Sequence, residues 1–494
     1  GNDVAEDPTV VFDPAPAVDD GVKPLYLNIS DGDAPISIQR ALPPIPLDRA
    51  DDRDVSINNS SGAGFADWPL TPALASELRF DPARPSRMLL YVREQGGGNE
   101  RSIRLELLDD DGVVITSASV SEEPLNNSSA NPTAVLFTFA PTGASLDAGD
   151  TLTLRIRNTT GTSGCADCGN NRRIRVFMQN QAVADDLAPA FEAYESRSRL
   201  LLATNVINVD SVQAFDASFA DGGGEPVEVA SPGDVLYLRA VVSDPFGTFD
   251  IREATITVTD ALGAATPLTD APMVQVGGGD PGDVVKVYET VFVPNDPPPA
   301  PPDTVGPVGD WAVRVRADEG VVDEWDGAPV FHEREGAFEL GLPDFVILKS
   351  STVESDPVNG TNDPKRIPGA LIRYTIQVSN QGRGRTDADS VLISDSLPEG
   401  VELAADAGIG GVPVAFLAGS SGLSMDPATC TAPALPDRVR FEEGGPGNST
   451  ASPTAIDGYL VNVTAIAVNP CLRMEGNLDG TPPSFSIVYR ARLQ

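Results

Sequence analysis

The stretch Asp356–Pro398, DPVNGTNDPKRIPGALIRYTIQVSNQGRGRTDADSVLISDSLP, decides how the rest of the chain is read. It holds a Pro-Gly turn (Pro368-Gly369), an alternating run, an Asn-Gln-Gly turn (Asn380–Gly382), a second short run and an Asp-x-Leu-Pro ending. Alternation of period two between turn residues is the pattern of half-buried strands, so the stretch reads as part of a small β-sandwich. None of its residues forms a recognisable catalytic group.

Working outward, 494 residues are too many for one core and suggest about three domains. The 72 acidic against 34 basic residues give a net charge of -38, which argues against nucleic acid as a partner because phosphate would be repelled. The 46 glycines and 44 prolines fall between short alternating runs and so read as turn residues. No run of about eighteen apolar residues occurs, so no membrane-spanning helix is expected. The chain starts at Gly1, and we expect an exported product whose leader has been removed, secreted or held at the cell surface. With a single histidine, His332 in FHEREG, neither a multi-imidazole zinc site nor a convincing Ser-His-Asp triad is expected; His332 reads as a surface residue in a turn.

Residues 1–22 are acidic and proline-punctuated, with an apolar centre at Thr9, Val10, Val11 and Phe12 between Pro8 and Pro14. Two readings stay open: a loose terminus, or an extended arm that donates a strand to a neighbouring subunit. From 23 to 180 strands follow one another at Met88–Val92, Ile103–Leu108, Val113–Ile115, Val135–Phe139, Leu152–Ile156 and Ile174–Phe177. The loop Asp109-Asp110-Asp111-Gly112 reads as a hairpin turn, with calcium as the alternative use of its three carboxylates. Cys165 and Cys168 lie in GCADCGNNRR without the context of a redox or zinc site; they are expected to pair locally, as are Cys430 and Cys471. Residues 181–199, broken by Pro189, read as a linker.

A second sandwich is expected over 200–341. It contains SPGDVLYLRAVV from Ser231, a turn at Asp244-Pro245-Phe246-Gly247, and WAVRVRA, where Trp311, Val313 and Val315 face a core. The Pro-rich stretch 294–307 reads as a stiff loop. AGDTLTLRI, PGDVLYLRA and PGALIRYTI each set a glycine turn before an alternating strand, a device repeated once per unit. The glycine triplets at 96–98, 222–224 and 277–279 lie between strands and make no phosphate loop. Sequons begin at Asn28, Asn58, Asn158, Asn359 and Asn462, among others.

Three resemblances follow from these residues. WPLTPALASELRF (Trp68–Phe80) and LDAGDTLTLRIRN (Leu146–Asn158) resemble jelly-roll-like sandwiches that precede Ig-like modules in bacterial surface proteins. Residues 200–341 look like a bacterial Ig-like or fibronectin-III-like module. In 342–494, Asp356-Pro357, Gly360, Pro364, Ile367-Pro368-Gly369, Tyr374, Val378, Asn380, Gly382, Asp395 and Leu397-Pro398 resemble the Ig-like repeat called domain of unknown function 11. The closing run Phe485–Leu493 fits that pattern, and the insertion between Pro398 and Cys430 departs from it.

The resemblance implies a surface protein without catalytic residues. The expectation is an all-β chain of three tandem sandwiches with an extended N-terminal arm, acting as a structural subunit of a filament, fibre or sheet. The alternative is an adhesin whose first sandwich binds surface glycans through exposed aromatics. An enzyme would need an acidic cleft or a metal site. Calcium is the one cofactor expected, and further copies of the chain the main partner.

Overall fold

The computed structural model describes residues 20–29, 36–39, 53–58, 64–96, 100–127, 132–160, 172–179, 198–280, 283–294, 307–322, 329–430, 438–444 and 448–494. The donor-strand residues Thr9–Phe12 and the pair Cys165 and Cys168 lie outside them, as does most of the expected linker. The described chain is nearly all β, with two single-turn 3-10 segments at Phe219–Asp221 and Thr248–Asp250 and no α-helix among the described residues. No described helix is long and apolar enough to cross a membrane.

Three two-sheet units follow one another. In the first, one sheet runs Ile36–Gln39, Asp20–Ile29, Arg199–Asn205, Arg87–Gln95, Arg173–Gln179, Arg53–Ile57, and Thr133–Thr138 also pairs with Arg87–Gln95. It faces a sheet of Phe65–Pro69, Thr153–Asn158, Glu100–Leu108 and Val114–Pro124. The expected alternation is present: Leu152, Leu154 and Ile156 are fully buried, while Thr153, Arg155 and Arg157 are half-buried on the other face.

The second unit opposes a four-stranded sheet to a five-stranded one around Trp311, Phe292 and Phe338, whose rings lie about 6 Å apart. Trp311 Nε1 donates to the Pro307 carbonyl at 3.0 Å, satisfying the one polar atom of this core anchor. The third unit packs Phe345–Ser355, Leu371–Asn380 and Ser484–Leu493 against Ile393–Ser396, Val463–Val468 and Val439–Glu443. Its core holds Tyr374, Ile376, Val378, Phe485, Ile487, Tyr489 and Ala491, the inward residues of two alternating strands.

Three expectations are corrected. Arg199, read as the end of the linker, and Leu200–Asn205, read as the start of the second sandwich, form one strand that pairs with Asp20–Ile29 and Arg87–Gln95 and buries Leu200 and Leu202 in the first core. The chain therefore passes to the second sandwich between Asn205 and Asn208, where the next strand begins. The arm expected over 1–22 ends earlier, because Asp20, Gly21 and Val22 already pair with Asn205, Thr204 and Ala203. His332 is 5% exposed on the strand Pro329–Leu340, where its Nδ1 accepts the Val209 N–H at 2.9 Å. It sits on a strand, and burial beside Arg334 and Arg79 lowers its pKa to about 4.

The insertion between Pro398 and Cys430 has a structural role. Its strands Val401–Leu403 and Val414–Leu417 share one edge of Ser484–Leu493, and Ala407 and Ala415 cover Val488. Cys430 and Cys471 are joined at the end of this insertion, with Cα atoms 5.6 Å apart.

Candidate functional site

The motif residues of the opening stretch hold the third sandwich together. Asp356 accepts the N–H groups of Val358, Asn359 and Lys365 at 2.6–2.7 Å and the Asn359 side-chain amide at 3.1 Å. These donors, Asn359 N–H first, draw its pKa down to about 2. Asn380 is fully buried: its Oδ1 accepts from Asp344 and Gly382, and its Nδ2 donates to the Gly384 and Glu475 carbonyls. Asp395 accepts Lys349 Nζ at 2.6 Å and the Tyr489 hydroxyl at 2.6 Å, and Tyr489 stacks on Tyr374 at 5.0 Å. Burial and the Asp395 carboxylate raise the Tyr489 pKa well above its ordinary value.

Lys349 and Asp395 both point between the sheets, on the strands that end each sheet on this side. Together they cross an open seam. Among the described residues Phe345–Ser355 pairs with Leu371–Asn380 alone, and four consecutive apolar residues stand in solvent at its start: Phe345 40%, Val346 50%, Ile347 56% and Leu348 61% exposed. On the facing sheet Val391 and Ile393 turn into the core, and Leu392 between them is 61% exposed on the outer side. Edge strands are normally blunted by charge, proline or brevity; this one is eleven residues long, with its first charge at Lys349.

Two junctions set the units against one another. At the first, the Asp244–Gly247 turn of the second sandwich puts Phe246 into the core of the first. Asp244 Oδ1 accepts the Phe246 N–H at 2.6 Å, and Ala75 N–H bonds the Pro245 carbonyl at 2.8 Å. Lys23, 5.3 Å above the Phe246 ring, extends from the first sandwich into a group of three carboxyls from the second. It donates to Asp250, to Glu319 at 3.0 Å, and lies 3.7 Å from Asp244.

Asp244 is fully buried and Glu319 nearly so. Desolvation, only partly opposed by Lys23, pushes the Asp244 pKa up and that of Glu319 up to about 8. Lys23 is held charged, its pKa raised by Asp244, Glu319 and Asp250 against the opposing effect of burial. At the second junction Asp234, in the Ser-Pro-Gly-Asp turn, accepts Arg473 at 2.5 Å and pairs with Arg385 at 3.2 Å, while Arg385 N–H donates to Ser231 Oγ.

Asp244, Asp250 and Glu319 are the one group of three metal-capable side chains among the described residues, and the Lys23 ammonium lies among them. The sequence-selected trio Asp109, Asp110 and Asp111 lies instead in the hairpin between Glu100–Leu108 and Val114–Pro124. There Asp109 Oδ1 accepts the Val113 N–H at 2.7 Å and Gly112 takes a φ of 77°. Such a turn needs a residue tolerant of positive φ, which glycine is. Among the described residues the aromatics of the first sandwich are buried apart from Phe65, with Tyr91 and Phe177 in a small cluster on the outer face of their sheet, and Phe65 lies under Arg155 and Arg157 at 4.4 and 4.8 Å.

Sequence reasoning did not single out Lys23, Asp250, Glu319, Asp234 or Arg385 as joining residues. The one available signal was Lys23, one of four lysines in the chain, standing inside the apolar run GVKPLYLN.

No family model matches the chain, and no curated protein matches it. Among solved structures, a CocE/NonD family hydrolase from Staphylococcus aureus is 12% identical, with a TM-score of 0.26 over 37% of each chain. An aminopeptidase from the marine sediment archaeon Thaumarchaeota archaeon is 8% identical, with a TM-score of 0.27 over 38% of this chain and 37% of that one. The chain spans little more than a third of the length of either. A DUF4785 family protein from Legionella pneumophila is covered over 84% of its length and 89% of this chain, at 7% identity and a TM-score of 0.17. Likenesses at these scores carry no argument about fold or function.

Proposed function

We propose that the chain is an exported structural subunit of an extracellular or cell-surface polymer, a strut of three sandwiches linked to its neighbours through the arm that precedes Asp20. The observation that carries this reading is the construction of the junctions. Phe246 set into a foreign core, and carboxylates buried around Lys23, Arg385 and Arg473, hold adjacent units in one orientation. Units braced against one another suit a load-bearing subunit, which must pass force along the chain without hinging. The Cys430–Cys471 bond suits an oxidising compartment. The reading assigns no reaction.

The test is electron microscopy of the purified chain with and without residues 1–19. The intact chain should form filaments, fibres or sheets and the shortened one folded monomers; polymers formed equally by the shortened chain would remove the arm from the reading, and monomers of both would remove the polymer. Calcium belongs to the same reading as a counter-ion of the acidic turns. A chelator should then lower the melting temperature, and an unchanged melt would strike calcium out.

A further inference from the structure

Among the described residues the open edge of Phe345–Ser355 is unlike the other exposed apolar positions, which are scattered singly or in pairs, because Phe345, Val346, Ile347 and Leu348 are consecutive and lie on a strand with one partner. Register places Phe345 and Ile347 opposite Asn380 and Val378, toward the facing sheet, and Val346 and Leu348 opposite Ser379 and Gln377, toward solvent. Both faces are therefore apolar over the same four residues. An added strand would pair with the free backbone groups and cover side chains on both faces. On the inner face it would lie beside the seam that Lys349 and Asp395 close further along.

We infer that this edge is the acceptor for the Thr9–Phe12 segment of a second copy of the chain, which deepens the polymer reading above and rests on it. Three features of the sequence match the acceptor. Proline cannot donate to a ladder, so Pro8 and Pro14 confine the pairing to residues 9–13, about the length of the exposed apolar run. Thr9, Val10, Val11 and Phe12 offer β-branched and aromatic side chains to both faces.

The segment is preceded by Glu6 and Asp7, and residues 1–20 contain no lysine or arginine. An antiparallel register with Phe12 opposite Phe345 and Val10 opposite Ile347 brings Asp7 and Glu6 alongside Ser350 and Ser351. Lys349 lies there, and Arg366 donates to Ser351 Oγ. The donor is another copy because the chain's own arm leads into Asp20–Ile29, a strand of the first sandwich, with the second sandwich between it and this edge.

The test mixes full-length Val10→Cys with full-length Ile347→Cys under mild oxidation and reads covalent dimers on a non-reducing gel. Assembly of full-length Ile347→Lys/Leu348→Glu is followed by light scattering. The expected result is a dimer in the mixture and in neither variant alone, with assembly lost in the double variant while its circular dichroism and melt stay unchanged. Absence of the cross-link, or assembly that survives the double substitution, would overturn this acceptor and leave the polymer reading standing. A cross-link formed within single chains of a Val10→Cys/Ile347→Cys variant at high dilution would also overturn it. Cross-linking between chains that give dimers but never longer assemblies would uphold the acceptor and sink the polymer.

Discussion

Glu319 and His332 are two buried titratable groups whose linkage to pH runs in opposite directions. Glu319 holds its proton in the folded chain up to about 8, against an ordinary value of 4.5, so between these values the folded state binds more protons and stability falls as pH rises. His332, lowered from 6.5 to about 4, is neutral in the folded chain where the unfolded chain would be charged, so stability rises with pH across that window. The two slopes offset each other between about 4.5 and 6.5 and leave a net decline from 6.5 to 8. Thermal melts across pH should show that shape. Glu319→Gln, neutral at every pH, should flatten the alkaline decline and expose the His332 rise between about 4.5 and 6.5 that Glu319 offsets in the native chain; an unaltered alkaline slope would refute the assignment. Lys23→Met removes the one cation from three carboxyls and should cost about 3–5 kcal/mol, seen as a lower denaturant midpoint. Neither pH effect was legible in the sequence. Burial of His332 depends on a strand pairing and on its contact with Val209, 123 positions earlier, and FHEREG has the polar composition of a turn.

Among elements, the alternating strands were legible because period two survives any choice of partner. Ile372, Tyr374, Ile376 and Val378 face inward as their spacing demands, and so do Phe485, Ile487, Tyr489 and Ala491. Arg199–Asn205 was misplaced because both of its faces are buried, so RLLLATN has no alternation to assign it and its neighbours in sequence favoured the wrong unit. The edge character of Phe345–Ser355 was also hidden, since an apolar run reads alike whether a second partner is present or not. At this scale the prediction concerns tolerance. Ile347→Lys/Leu348→Glu should change stability by no more than about 0.5 kcal/mol per site, because neither side chain is buried, whereas Ile376→Ala in the next strand should cost about 2–5 kcal/mol. Chemical denaturation separates the two. A large loss at 347 and 348 would mean that the edge is already covered.

For the whole molecule, the all-β class and the tandem arrangement followed from composition and turns. The way the units grip one another did not, because each junction joins residues far apart: Lys23 with Glu319, Asp234 with Arg473. Phe246→Ala should cost about 3–5 kcal/mol and fall on the first sandwich, although the residue belongs by sequence to the second. Calorimetry should show the first two units melting together in the native chain and separately in this variant. Replacing Cys430 and Cys471 by serine opens a closure of 41 residues and should cost about 2–4 kcal/mol in the third unit alone.

The placement of Phe246 also bears on the order in which the chain matures. During synthesis the strand Arg199–Asn205 emerges before Phe246, and until the latter arrives the first core lacks one of its aromatic walls. Lys23 meanwhile has none of Asp244, Asp250 or Glu319 beside it. The first unit is thus made before the second and cannot be finished before it, and a chain arrested before Phe246 would offer proteases a gap that the completed molecule does not have.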